Sequence, residues 1–169
     1  MISRMFCALV FAATWISVPA PGVGNVNLGD AMILLCAWML GGPYAVVAGA
    51  LGAALTDLMG AYAIYAPATL LIKALMVLVA ILVSKGLRSI RVPTFPSLLV
   101  SGICAELVMI VGYYLYEAFF LSLGAVGALL SVPFNAVQGA LGLILALLCR
   151  MLLRHTSFHF GKDEKDGKK

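Results

Sequence analysis

The chain has 169 residues, of which 63% are hydrophobic and 11% are charged, and its formal net charge is +4. Because a soluble domain carries about 25% charged residues, this composition excludes an ordinary soluble protein and indicates an integral membrane protein. A helix needs about 20 apolar residues to cross a bilayer, so the length allows five or six spans with short loops and no soluble catalytic domain.

The first apolar segment covers residues 5–18 and is predicted to be a membrane helix. The sequence VPA at its end also fits a signal-peptidase site, so a cleaved signal peptide is an alternative. The equally apolar sequence that follows favours a helix that is kept. Ala8 and Ala12 lie four residues apart, and small residues at this spacing let another helix approach closely, although ordinary alanines in an apolar helix give the same pattern.

The second and third apolar segments follow a predicted loop at 19–29, where closely spaced prolines and glycines cannot continue a helix. Asp30 opens the second segment, which extends to residue 40, and its carboxylate complements the positive end of the helix dipole. The sequence GGP at 41–43 predicts a tight turn before the third segment at 44–58. One face of that third segment is nearly bare backbone with a carboxylate at its far end, and consists of Ala45, Gly49, Ala53 and Asp57.

A polar break at 56–66 separates the third segment from the fourth. Pro67 suits the first turn of a helix because its missing N–H would have no partner there. The fourth segment is predicted to continue from this proline to residue 83. A basic loop at 85–96 follows it.

The last two apolar segments carry most of the remaining polar side chains. The fifth segment, at 97–121, presents one polar face that consists of Glu106, Ile110, Tyr113 and Glu117. The sixth segment runs from about 126 to 153, and Pro133 is expected to free backbone groups within it. Asn135 and Gln138 are three apart and therefore share a helix face.

The distribution of basic residues predicts the orientation in the membrane. Six spans place the N-terminus, the 41–43 turn, the 85–96 loop and the C-terminus on one side, which then holds ten of the eleven lysines and arginines. By the positive-inside rule this side is cytoplasmic. On the outer side, topology brings together Asn25, Asn27, Asp57 and Glu117. We therefore expect an all-α membrane domain of six transmembrane helices at 1–155, with both termini cytoplasmic, and a charged, disordered tail at 156–169.

Polar side chains within the apolar segments are costly in lipid and therefore indicate a functional site. A cavity that combines such groups with aromatic rings suits a polar, ring-bearing small molecule. The alternative is structural: Lys73 neutralises Asp57 or Glu106, and the tyrosines form an interfacial aromatic belt. The set consists of Asp30, Asp57, Lys73, Glu106, Glu117, Asn135 and Gln138, with Tyr62, Tyr65, Tyr113 and Tyr114 nearby.

Common catalytic and nucleotide-binding motifs are absent from the sequence. There is no GxxxxGK[ST], HExxH or GxSxG pattern, and the four cysteines are far apart with no Cys/His cluster. Neither an enzyme nor a metal site is therefore expected. A second hypothesis is a stand-alone ion-coupled carrier or small channel in which Asp57, Lys73 and Glu106 form a relay.

Three short motifs carry a resemblance to a known family. They are NLGD at 27–30, G-x-x-x-x-D-L at 52–58 and YAPAT-x-x-x-K at 65–73. With the residues around them, they resemble the substrate-binding membrane subunits (S components) of energy-coupling factor (ECF) transporters, and most of all the riboflavin-transporter-like S-component family. The resemblance is good over about 8–84 and weaker over 97–153, where PFNAVQG is similar to the last helix of the family.

The resemblance implies a six-helix protein in a prokaryotic plasma membrane that binds a vitamin or vitamin precursor from outside. Such a subunit docks on a T component that is bound to two ATPases, which use the ATP, so this chain needs no cofactor. Ala8 and Ala12 match the docking surface of the family. The residues expected to line or close the substrate site are Asn27, Asp30, Asp57, Tyr62, Tyr65 and Lys73, with Glu106, Tyr113, Asn135 and Gln138 opposite.

The ligand favoured by these side chains is a small aromatic heterocycle with hydroxyl groups, such as pyridoxine or a hydroxymethylpyrimidine. Riboflavin and pantothenate stay open, because substrates vary widely in the family. No nucleic-acid partner is expected, since the positive charge is explained by topology.

Overall fold

The chain folds as a bundle of α-helices with one short β-hairpin, and the computed structural model describes residues 2–19 and 25–155. The predicted disorder of the tail at 156–169 concerns residues outside these ranges. In chain order the elements are α1 (Ile2–Trp15), β1 (Ser17–Pro19), β2 (Asn25–Asn27), α2 (Gly29–Leu40), α3 (Pro43–Met59), α4 (Ala66–Ser89), α5 (Thr94–Leu115), α6 (Gly124–Ala128) and α7 (Val132–His155).

Short irregular helices extend two of these elements. A 3₁₀ turn at Ala63–Tyr65 precedes α4, and a π-helical turn at Tyr116–Phe120 continues α5. With these extensions, three stretches are long and apolar enough to cross a membrane, namely Ala63–Ser89, Thr94–Phe120 and Gly124–Leu153. The helices Ile2–Trp15, Gly29–Leu40 and Pro43–Met59 are apolar but shorter. The prediction that all six apolar segments are helical is therefore confirmed, and three of them reach the length of a membrane span.

The central helix is α2, because the other helices cover it on nearly all sides. Ile33, Leu34 and Cys36 have no exposed surface. A helix that is apolar all round is stable only when it is buried, and α2 has this character. At 1.5 Å per residue its 12 residues span about 18 Å, so the polar first turn of α2 lies inside the bundle.

Helices α1 and α3 approach closely at Gly52. A Cβ atom at this position would lie 2.6 Å from the carbonyl oxygen of Cys7 and 2.9 Å from Cβ of Val10, so only glycine fits. The predicted small-residue face of α3 is buried as expected, including Ala53 at its centre. Helix α1 packs on α2 and α3 through Phe6, Val10 and Thr14 and leaves Ala8 and Ala12 exposed on its other face.

Three predicted boundaries were wrong. Helix α4 continues to Ser89, so Lys85 and Arg88 lie in its last turns rather than in a loop. The sixth segment is broken at 129–131, and Pro133 lies in the first turn of α7, where it interrupts no helical hydrogen bond. Part of the predicted loop at 19–29 is strand β2, which pairs antiparallel with β1, with Val18 opposite Val26.

The two ends of the bundle differ in character. At one end, Lys85 Nζ donates a 2.7 Å hydrogen bond to the carbonyl of Gly41, which ends α2 in the left-handed conformation with φ 61°. At the other end, the Tyr116 hydroxyl donates a 2.5 Å hydrogen bond to the carbonyl of Ile64. The 41–43 turn and the basic end of α4 therefore lie together, and the β1–β2 hairpin lies at the opposite end with the cavity described below.

Candidate functional site

A polar cavity of about 40 Å³ lies beneath the β1–β2 hairpin, with room for only a few water molecules. Helices α1, α3, α4, α5 and α7 contribute to its wall, and strand β2 covers it. Because separate elements supply polar groups to one cavity, it has the character of a small-molecule site. Its lining residues are Thr14, Asn25, Asn27, Ala53, Asp57, Tyr62, Tyr65, Thr69, Lys73, Tyr113, Glu117, Asn135 and Gln138.

Lys73 forms its ion pair with Asp30 and not with Asp57 or Glu106, so the predicted partners were wrong. The side chain of Lys73 is 3% exposed and that of Asp30 is 0% exposed. The ammonium also contacts Met76 Sδ at 3.6 Å and lies 5.6 Å from the centre of the Tyr113 ring. The reason for the difference is the central position of α2, which brings its first turn against α4.

Gln138 connects this ion pair to the hairpin. Its Nε2 donates a 2.6 Å hydrogen bond to Asp30 Oδ2, and its Oε1 accepts a 3.0 Å hydrogen bond from the backbone N–H of Asn27. The Asn27 side chain in turn accepts a 2.9 Å bond from the backbone N–H of Gly29 at the start of α2. One glutamine therefore fixes β2 to α7 and α7 to α2.

Asp57 belongs to a second polar group with Thr69 and Tyr113. The Thr69 hydroxyl donates a 2.5 Å hydrogen bond to Asp57 Oδ2 and lies 2.9 Å from the Tyr113 hydroxyl. Since threonine has one hydroxyl proton and gives it to Asp57, Tyr113 donates to Thr69. The other carboxylate oxygen, Asp57 Oδ1, has no hydrogen-bond partner among the described residues. An acceptor is therefore open at the cavity wall.

Glu117 forms the third polar group. Tyr65 donates a 3.2 Å hydrogen bond to its Oε1, and the Ser131 hydroxyl donates to its Oε2. The Tyr65 ring packs 6.3 Å from the Tyr113 ring and 5.6 Å from the Tyr116 ring, measured between centroids. Because Tyr65 is only 6% exposed, the aromatic-belt interpretation was wrong for this residue. Tyr114 is half-buried and does not line the cavity.

The structure brings eight of the ten predicted binding residues to the cavity wall, namely Asn27, Asp57, Tyr62, Tyr65, Lys73, Tyr113, Asn135 and Gln138. Two others lie behind it. Asp30 is covered by Lys73 and Gln138. Glu106 is 5% exposed, and its carboxylate has no hydrogen-bond partner among the described residues and lies against Gly139.

Five cavity residues were missing from the predicted binding set: Thr14, Asn25, Ala53, Thr69 and Glu117. Asn25 and Glu117 had been placed at the same face by topology, and this convergence with Asn27 and Asp57 is present in the structure. Thr69 lies within the YAPAT motif, four residues before Lys73. No sequence pattern marks Thr14 as a cavity residue, because a lone threonine in an apolar helix usually bonds the backbone of its own helix. Thr14 does so here, donating a 2.7 Å hydrogen bond to the carbonyl of Val10.

The described residues contain no cluster of side chains that could bind a metal ion. Within residues 2–19 and 25–155, no group of three His, Cys, Asp or Glu side chains could hold an ion. The cysteines of these ranges are free, and Cys36 is buried in the core.

Comparison with known proteins identifies the family. The family described as "ECF-type riboflavin transporter, S component" matches residues 4–155. The chain belongs to this family. S components are integral plasma-membrane proteins of prokaryotes that bind vitamin-like substrates and associate with T and ATPase components. The family is a substrate-binding component of a transporter and not an enzyme.

A solved structure supports the fold of this S component. It is described as "Structure and mechanism of the S component of a bacterial ECF transporter" and superposes with a TM-score of 0.71. The match covers 92% of this chain and 96% of the other, at 23% sequence identity. No curated protein matches the chain.

Proposed function

We propose that this S component captures a water-soluble vitamin or vitamin precursor in the cavity beneath the β1–β2 hairpin and delivers it through an ECF module. The single observation that carries the proposal is the polar cavity, whose wall combines Asp57, Lys73 and the Tyr65–Tyr113 pair. Ring stacking and a few fixed polar groups are the means by which proteins hold small heterocycles. A single-ring compound such as pyridoxine or a hydroxymethylpyrimidine is favoured over riboflavin or pantothenate.

The proposed orientation places the cavity at the outer face, with six spans and both termini cytoplasmic. The basic end of α4 and the 41–43 turn lie at the end opposite to the cavity. Lys85, Arg88 and Arg91 therefore face the cytoplasm under the positive-inside rule. This arrangement gives the substrate access from outside.

Substrate entry requires the β1–β2 hairpin to move, because a cavity of about 40 Å³ is far smaller than a typical ligand pocket of roughly 300–1,000 Å³. The hairpin is short, and its hydrogen bond to the wall runs from Asn27 to Gln138. Displacement of β2 would open the cavity and leave the helices in place.

Native mass spectrometry of the freshly purified protein tests the proposed function. We expect one co-purified small heterocycle at a ratio of one per chain, retained without ATP. Uptake into liposomes should need the T component and the ATPases. Uptake at the full rate by this chain alone would contradict the proposal and favour the ion-coupled carrier that uses Asp57, Lys73 and Glu106.

The exposed face of α1 that carries Ala8 and Ala12 is proposed as the docking surface for the T component. We expect Ala8→Leu and Ala12→Leu to reduce assembly at least tenfold in a pull-down, because the larger side chain keeps a partner helix from close approach. Ligand binding should be unchanged, since neither alanine lines the cavity. Ala140→Leu on the exposed face of α7 is the matched control. Normal assembly of both α1 variants would refute the docking role.

A further inference from the structure

The charges around the cavity are predominantly negative. Lys73 is the only lysine or arginine among the lining residues that the structure describes, whereas Asp57 and Glu117 both line the cavity and Asp30 lies directly behind it. Three carboxylates and one ammonium give a formal charge of −2. The sequence at 20–24, APGVG, contains no charged residue that could reverse this balance.

The one cation is already neutralised. Asp30 accepts from Lys73 and also from Gln138 Nε2 at 2.6 Å, and it has no exposed surface. A ligand carboxylate that approached Lys73 would have to compete with this fully buried partner. It would also meet Asp57, whose like charge opposes it in a medium of low dielectric constant.

Among the described lining residues, the carboxylate oxygen without a hydrogen-bond partner is Asp57 Oδ1. Its partner oxygen is occupied by Thr69, and the carboxylate oxygens of Glu117 are occupied by Tyr65 and Ser131. The Tyr62 and Tyr65 rings, 6.4 Å apart between centroids, line the same wall. A carboxylate beside aromatic faces is an environment that attracts a cation, because the ring quadrupole and the negative charge act in the same direction.

We propose that the ligand of this cavity is a small aromatic heterocycle that carries a positively charged amine, which donates to Asp57, and that the site rejects ligands with a carboxylate. The inference rests on the proposed function and narrows its substrate class by charge. It predicts that Lys73 serves to hold Asp30 and α2 rather than to attract an anionic substrate.

A series of three pyridines with one variable substituent tests the charge preference. Pyridoxamine carries an aminomethyl group, pyridoxine has a hydroxymethyl group at the same carbon, and 4-pyridoxic acid has a carboxylate there. We expect titration calorimetry on the ligand-free protein in detergent to show pyridoxamine binding at least tenfold more tightly than pyridoxine, with 4-pyridoxic acid weakest. Equal affinities, tightest binding of the acid, or no binding by any of the three would overturn the inference.

Two substitutions at one position assign the preference to Asp57. Asp57→Asn should reduce the ratio of pyridoxamine to pyridoxine affinity to near one, because it removes the charge and keeps a hydrogen-bond acceptor. Asp57→Glu keeps the charge and should preserve most of the preference. An unchanged ratio in Asp57→Asn would contradict the role of Asp57. If Asp57→Asn does not fold, Asp57→Ser, which also removes the charge and keeps an acceptor, provides the same comparison: a ratio near one supports the assignment, and an unchanged ratio opposes it.

The failure of this inference is distinguishable from a failure of the proposed function. A neutral or anionic heterocycle found by native mass spectrometry, with uptake that requires the ECF partners, would overturn the charge preference and leave the proposed function intact. Uptake by the chain alone would contradict the proposed function whatever the charge of the ligand.

Discussion

Lys73→Met should lower the free energy of unfolding by about 3 kcal/mol or more, the cost of leaving one member of a buried ion pair without its partner. The methionine fills the same volume, so the loss is electrostatic. Asp30 would keep its bond from Gln138 but lose its countercharge while 0% exposed. Unfolding by titration with sodium dodecyl sulphate in mixed micelles measures the change.

Two further variants separate the ion pair from other effects of the substitution. Lys85→Met removes an exposed lysine of the same helix whose ammonium, among the described residues, bonds the Gly41 carbonyl alone, and it should cost less than about 1 kcal/mol. The double variant Asp30→Asn/Lys73→Met removes both charges and keeps an acceptor for Gln138, so it should be more stable than Lys73→Met alone. A single variant as stable as Lys85→Met would refute the structural role of the pair.

Gln138→Met should release bound ligand about tenfold faster than the unmodified protein. The substitution removes the acceptor for the Asn27 backbone N–H and the donor to Asp30 together. Since a hydrogen bond to a charged group contributes about 1.5–3 kcal/mol and a neutral one about 1 kcal/mol, the hairpin should open more often. Stopped-flow measurement of the release of the co-purified ligand provides the rate.

Two comparisons test whether the effect comes from the hairpin. Val137→Met, on the exposed face of α7 beside the same position, should leave the release rate unchanged. Gln138→Glu keeps an acceptor for the Asn27 backbone N–H but places a second carboxylate next to Asp30. It should therefore lower the free energy of unfolding and increase the release rate less than Gln138→Met does. A release rate of Gln138→Met equal to that of the unmodified protein would show that this bond does not hold the hairpin closed.

The helical architecture and the meeting of four polar residues could be predicted because both depend on one-dimensional patterns. Apolar segment length gives the helices, and their alternating direction along the chain brings Asn25, Asn27, Asp57 and Glu117 to one end. The break at 129–131 also had a signal, since Pro133 suits the first turn of a helix and therefore predicts a helix start close to it.

The partner of Lys73 could not be predicted, because it depends on which helix occupies the centre of the bundle. From spacing along the chain, Asp30 is recognised only as an acidic residue at a helix N-terminus. Asp57 and Glu106 are equally good candidates for the ion pair with Lys73. The hairpin was missed for a different reason: its strands have three residues each and one contains Pro19, so no alternating pattern exists to detect. Glu106 shares a helix face with Tyr113, but a shared face does not show which positions along the helix lie beside the cavity. Of these two residues, Tyr113 lines the cavity.

The small size of the β1–β2 hairpin sets the timescale of ligand capture. Loops of this kind move in nanoseconds to microseconds, whereas helix displacements take microseconds to milliseconds. Because Gln138 also bonds Asp30 in the central helix, the cavity wall stays assembled when Asn27 leaves. Association should therefore be limited by collision with a preformed wall, and its rate should change little with ligand shape, while differences in affinity arise in the rate of release.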